Sequence, residues 1–113
     1  MEKTFVPDAS PWVPMTEPID LMVMGKLSEE LAECGSAAAR CIIQGIDECE
    51  PSTGEVNRRW LEKEIADVLA NIELTVERFG LDTDFIGERS AFKMRYLRKW
   101  HSMEGSAFQG ATS

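Results

Sequence analysis

An all-α fold is predicted for this chain by three observations. Apolar residues recur at alternating spacings of three and four over residues 17–44, 57–79 and 83–100, the period of a helix with one buried face. Proline or glycine punctuates the joins between these segments, at Pro14, Gly45, Pro51, Gly54 and Gly80, where helices start and stop. No stretch makes a convincing strand. The 113 residues suffice for one small domain, large enough for a core and small enough to gain from oligomerisation. A hydrophobic fraction of 43% and a charged fraction of 28% are those of an ordinary globular protein and exclude a disordered chain.

Residues 1–16 carry Pro7, Pro11 and Pro14, which forbid a regular helix and predict an extended arm. Phe5, Trp12 and Val13 are too apolar for a free tail. They are expected to pack on the bundle, on a partner subunit or beside a ligand, packing being the plainer alternative. Thr16 is the expected N-cap, with Glu17 and Pro18 in the first turn.

The first helix is expected over 17–44, with Gly25 as a candidate bend. Leu27, Leu31, Cys34, Ala38 and Cys41 form its expected core seam, and Lys26, Glu30, Glu33 and Ala37 fall on the flank of that seam. Glu29 turns outward. The small residues from Gly35 to Ala39 permit close approach of another helix, and Gly45 ends the segment. Residues 46–56 form an acidic, turn-rich loop, either a lid or a solvated connection, the second being the default.

The second helix is expected over 57–79, where Leu61, Ile65, Val68, Ile72, Val76 and Phe79 make an apolar stripe. Trp60, Glu64, Asp67 and Asn71 gather beside it, whereas Arg58, Arg59, Lys63 and Arg78 lie elsewhere on the helix. Asp82 or Thr83 caps a third helix over 83–100, the one basic segment of the chain. Residues 17–101 thus form a single helical domain, followed by a flexible tail over 102–113 rich in Ser, Gly and Ala.

The net charge of −8 disfavours nucleic-acid polymers and anionic membranes as partners, because neither gains from an acidic surface. Cys34, Cys41 and Cys49 make no CxxC pair, and the single His101 is remote from them, which argues against a zinc site. An odd cysteine count, no signal-peptide pattern and no apolar run of membrane-spanning length predict a reduced, cytoplasmic protein.

Chemistry is concentrated in two acidic pairs, Glu30 with Glu33 and Glu64 with Asp67. At about 100° per residue, an i, i+3 pair shares a helix face, its members about 5–6 Å apart. Two such pairs on neighbouring helices form a four-carboxylate cage, and its members repel unless protons or a cation hold them together. Oxygen ligands alone select a hard divalent cation, Mg²⁺ with Mn²⁺ as its substitute. A di-iron bundle uses Glu-x-x-His motifs, and neither helix contains a His. Phosphoryl chemistry is the remaining reading, with cations of the third helix holding phosphates that the metal does not reach.

The arrangement Glu29-Glu30-x-x-Glu33, a spacer, then Glu64-Ile65-Ala66-Asp67-Val68-Leu69 resembles the MazG-like all-α nucleoside triphosphate pyrophosphohydrolases over about residues 20–100. The resemblance implies a MazG-like helical bundle, assembled as a homodimer or dimer of dimers around a four-helix-bundle core. It implies that Glu30, Glu33, Glu64 and Asp67 ligate Mg²⁺ and carry catalysis, that Asn71 contacts the nucleotide or the metal's surroundings, and that Lys93 and Tyr96 engage phosphate. The implied products are a nucleoside monophosphate and pyrophosphate, from attack of water at the α-phosphorus. The proline-rich arm and the acidic loop depart from the family pattern.

Trp12 and Trp60 are candidates to stack on the base. The resemblance to compact phage members favours dGTP, with a dUTP- or dCTP-directed or broad-specificity enzyme as the alternative. The rival class is a non-enzymatic acidic helical module that binds a protein partner.

Overall fold

A computed structural model describes residues 11–101. Among these residues the chain forms three helices, α1 (Pro18–Gln44), α2 (Asn57–Phe79) and α3 (Thr83–Trp100), with no strand beyond one isolated bridge in the α1–α2 loop. The expected all-α class and all three helical segments are present among the described residues. None of the helices is long and apolar enough to cross a membrane. Phe5 and the tail from 102 onward lie outside the described residues.

The chain divides into two compact units between Arg78 and Phe79. The first holds α1 and α2 as an antiparallel hairpin pinned at both ends. At the closed end Asn57, 1% exposed, donates from Nδ2 to Gln44 Oε1 and to Gly45 O, each at 3.0 Å. At the open end Arg78 donates to Asp20 Oδ1 at 2.7 Å and to Glu17 Oε1 at 3.0 Å. Two carboxylates around one guanidinium hold Arg78 in its charged form more firmly than usual, the bond from Asp20 contributing most.

Glu17, rather than the expected Thr16, is the N-cap of α1. Its carboxylate accepts from Asp20 N at 2.8 Å, and Pro18 follows in the first turn. The same carboxylate serves Arg78, so the cap and the inter-helix clasp share one side chain. Gly45 stops α1 with φ 105°, its N–H bonded to Cys41 O. A side chain at that φ is strained, and a Cβ would stand 3.0 Å from Glu48 Cγ.

Residues 46–56 form a hydrogen-bonded connection. Cys49 and Val56 bridge across it, Glu50 gathers Ser52 and Thr53 with Oε1, and Arg58 grips Asp47 at 2.7 and 3.0 Å. Lys63 adds an ion pair to Glu55 at 2.7 Å.

The buried face of the hairpin differs from the expected seam. Within α1 the most enclosed positions are Glu30 and Ala37, with Val23, Leu27, Cys34, Cys41 and Gln44 half-buried. These follow one another at alternating spacings of four and three. Leu31, expected in the core, is 52% exposed, and Ala38 is also exposed. In α2 the enclosed line is Asn57, Leu61, Glu64, Val68, Asn71 and Thr75, whereas Ile65, Leu69 and Ile72 face outward. Ala37 is the one buried apolar side chain among the described residues. The line that α2 encloses alternates Leu61 and Val68 with Asn57, Glu64, Asn71 and Thr75, so polar contacts as well as apolar ones set which face of the helix closes.

The second unit holds α3. Asp82 caps it by accepting from Phe85 N at 2.9 Å, as the sequence predicts. No residue of α3 is buried. Its ring pair Phe92–Tyr96 meets edge-on at 5.0 Å, with the Arg89 and Arg95 guanidinia 5.6 and 5.8 Å from the Phe92 ring.

Candidate functional site

The antiparallel register set by the two clasps brings the middle of α1 against the middle of α2. Glu30 and Glu33, one turn apart on α1, thereby meet Glu64 of α2. One carboxylate oxygen from each of the three lies within 4.8 Å of the other two. Asp67, one turn beyond Glu64, is exposed and stands outside that three-oxygen group.

Burial sharpens the electrostatics of this group. Glu30 is only 5% exposed. Its Oε2 accepts an ion pair from Lys26 Nζ at 3.0 Å, as the i, i+4 spacing predicts, and Lys26 also reaches Glu29 Oε1 at 3.0 Å. The two carboxylates hold the lysine firmly in its charged form, the bond from Glu29 contributing most. Glu29 itself is exposed, as its helical phase requires.

Glu30 Oε1 and Glu64 Oε1 are both buried without a hydrogen-bond partner. A buried carboxylate oxygen without a donor is costly, because it has lost water and gained nothing in exchange. Two such oxygens, from opposite helices, belong to one three-acid group, which makes Glu30, Glu33 and Glu64 the residues that could hold a cation. Glu33 is exposed, and the charge of Glu30 pushes its carboxyl above the usual range, with desolvation and the charges of Glu29 and Glu64 acting in the same sense.

Asn71, half-buried, donates from Nδ2 to Asp67 O at 2.8 Å within α2, and Thr75 Oγ1 returns to Asn71 O at 2.6 Å. Trp60 is half-buried on the hairpin's inner side, and Trp12 is 80% exposed in the arm. Lys93 and Tyr96 lie one turn apart on one exposed face of α3, in the second unit.

No family model, curated protein or solved structure matches this chain. The site therefore rests on its own geometry.

One residue of that geometry lies outside the candidates that the acidic motifs supply. The guanidinium carbon of Arg40 stands 4.5 Å from the centre of the Trp60 ring, and Arg40 Nη1 is buried without an acceptor. The signal for it is periodicity: Glu33, Ala37 and Arg40 continue the line of Lys26 and Glu30 at helical spacing. A motif confined to acids passes over it.

Proposed function

We propose that the protein is a Mg²⁺-dependent nucleoside triphosphate pyrophosphohydrolase acting in the cytoplasm, with dGTP as its preferred substrate. The observation that carries this reading is the convergence of Glu30, Glu33 and Glu64 oxygens within 4.8 Å, two of the acids each having a buried, unpartnered Oε1. Those three residues would hold the cation, with Asp67 at the exposed margin available to a hydrated ion or to the attacking water. When bound, Mg²⁺ neutralises polyphosphate charge and favours ionisation of water.

The residues of the chain then divide the work. Glu30, walled in by the hairpin, fixes the depth of the site, and Lys26 holds it in place from one side. Glu33 and Asp67, both exposed, face the side from which a nucleotide arrives. In the reaction the oxygen of water bonds to the α-phosphorus and the bond from that phosphorus to the bridging oxygen breaks. Pyrophosphate leaves with the electron pair, and a proton is released to solvent. Asn71, four residues beyond Asp67 on α2, is the proposed contact to the nucleotide or to the metal's surroundings. A second copy of the chain, as a dimer or a dimer of dimers, would supply the four-helix core. The outward-facing Leu31, Ile65, Leu69 and Ile72 support that assembly.

The test is a panel of common ribo- and deoxynucleoside triphosphates assayed with Mg²⁺, the products separated by chromatography. Monophosphate plus pyrophosphate is the expected pair, with dGTP consumed fastest. A faster dUTP or dCTP, or an even response across the panel, replaces the substrate and keeps the reaction. No pyrophosphate from any nucleotide ends the reading and leaves the acidic partner-binding module in its place.

A further inference from the structure

We infer that Arg40 and Trp60 form the base-reading end of this site and that Arg40 selects a guanine-type edge, two adjacent hydrogen-bond acceptors. The inference rests on the hydrolase reading for the identity of the ligand as a nucleotide, and on separate observations for everything else.

Arg40 is a cation whose surroundings do not satisfy it. No carboxylate pairs with it among the described residues, its guanidinium lies over the Trp60 ring at 4.5 Å, and Nη1 is buried with no acceptor. A guanidinium is donor-only, with its N–H groups in a planar fork, and stacking on an indole orients that fork without using it up. Arg40 as a whole is half-buried, so the N–H groups other than the enclosed Nη1 form an unpaired donor edge beside the Trp60 ring that a ligand's acceptors can meet.

Position decides which part of a nucleotide supplies it. Arg40 lies seven residues beyond Glu33 on the same side of α1, about 10 Å along the axis, and Trp60 lies one turn before Glu64 on α2. Lys26 lies seven residues on the other side of Glu33. The acids are thus flanked by an ammonium at one end and by an arginine–indole pair at the other. A substrate anchored at its α-phosphate by the acids fits this arrangement in one direction, with its base toward Trp60 and its polyphosphate away from it. Lys26 at the other end is already held by Glu29 and Glu30, and a flat, partly apolar ring suits the aromatic platform.

Among the bases, guanine presents O6 and N7 as adjacent acceptors and is the usual bidentate partner of arginine. Adenine offers N7 beside an amino donor, which would face another donor at Arg40. Glutamine, carrying one donor and one acceptor, is the matching partner for adenine.

The products dGMP and dAMP serve as probes, with binding followed by calorimetry in the presence of Mg²⁺. The wild-type protein is expected to bind dGMP about tenfold or more tightly than dAMP, the discrimination of one bidentate pair. Arg40→Gln should abolish or reverse that ratio, and Arg40→Lys should keep part of it. Trp60→Leu should weaken both probes together. Circular dichroism of each variant checks that the hairpin is intact, and a merely structural Arg40 would lower both affinities without moving their ratio. Equal or undetectable binding of the two probes by the wild type, or a preference that survives Arg40→Gln, overturns the inference. If either occurs in a protein that still releases pyrophosphate, the hydrolase reading stands without it. If an Arg40-dependent preference appears in a protein that hydrolyses nothing, the base site stands and the hydrolase reading falls.

Discussion

Glu64 and Glu30 place two carboxylates on facing helices with a buried, unpartnered oxygen each, and Glu33 adds a third at their edge. Replacing Glu64 with Gln removes one charge at nearly constant shape. Expected outcomes are loss of pyrophosphate release with helical content unchanged, and a thermal midpoint raised by a few degrees in the metal-free protein, because like charges no longer crowd Glu33. Added Mg²⁺ should raise the wild-type midpoint, since a ligand of the folded state stabilises it by mass action, and should leave Glu64→Gln nearly unmoved. Unfolding scans with chelator and with Mg²⁺ read both effects. Proton linkage gives a further expectation. The Glu33 carboxyl is raised above its ordinary 4.5, chiefly by the charge of Glu30, so between these two values the folded chain binds more protons than the unfolded one. Its contribution therefore falls as pH rises through that window. Metal-free stability measured across the window should decline with pH, and the decline should flatten in Glu30→Gln, which removes the largest of the charges acting on Glu33, more than in Glu64→Gln. Stability rising with pH in the chelated protein would contradict the repulsion assigned to this group.

At the level of the elements, the helix limits were legible because local chemistry sets them. Pro18, Gly45, Gly80 and Asp82 act through their own backbone or cap, needing no knowledge of the rest of the chain. The pairing of Glu30 and Glu33 with Glu64 was legible for a related reason: i, i+3 spacing is local, and each acidic motif lies well inside one of two consecutive helices. What the pattern did not reveal was which stripe of each helix faces the other. Hydrophobicity favours Leu31 and Ala38, but facing is decided by close approach, and the small Ala37 together with the Asn57 clasp draws the hairpin onto the line through Glu30. Asn57 tests that account. It is 1% exposed and binds Gln44 and Gly45, so Asn57→Ala leaves the Gly45 carbonyl and the Gln44 amide oxygen, on two half-buried residues, without their donor. The expected cost is about 1–3 kcal/mol, read as a lower urea midpoint with an unchanged slope. A variant as stable as the wild type would remove Asn57 as the pin of the closed end.

For the whole molecule, the distribution of apolar surface argues for a partner made of the same chain. A small domain needs substantial apolar burial to offset chain entropy, yet Ala37 is the one buried apolar side chain among the described residues. The side chains that would supply the burial are present and turned outward, Leu31 at 52%, Ile65 at 44%, Leu69 at 61% and Ile72 at 40% exposure. On α2, Ile65, Leu69 and Ile72 recur at spacings of four and three, the seam a helix presents to another helix. Two hairpins closing on these seams would bury them in a four-helix core while leaving each hairpin's acid group on its own inner face. The wild-type chain should therefore sediment as a dimer or larger species, against 12.7 kDa for one chain. Leu69→Glu, which sets a charge in the middle of the seam, should shift the protein toward the monomer and lower its thermal midpoint. The midpoint of the wild type should also rise with protein concentration, because association stabilises by mass action. A wild-type protein that sediments as a fully helical monomer at every concentration, with a midpoint independent of concentration, would show that the outward seam is not covered by a second copy.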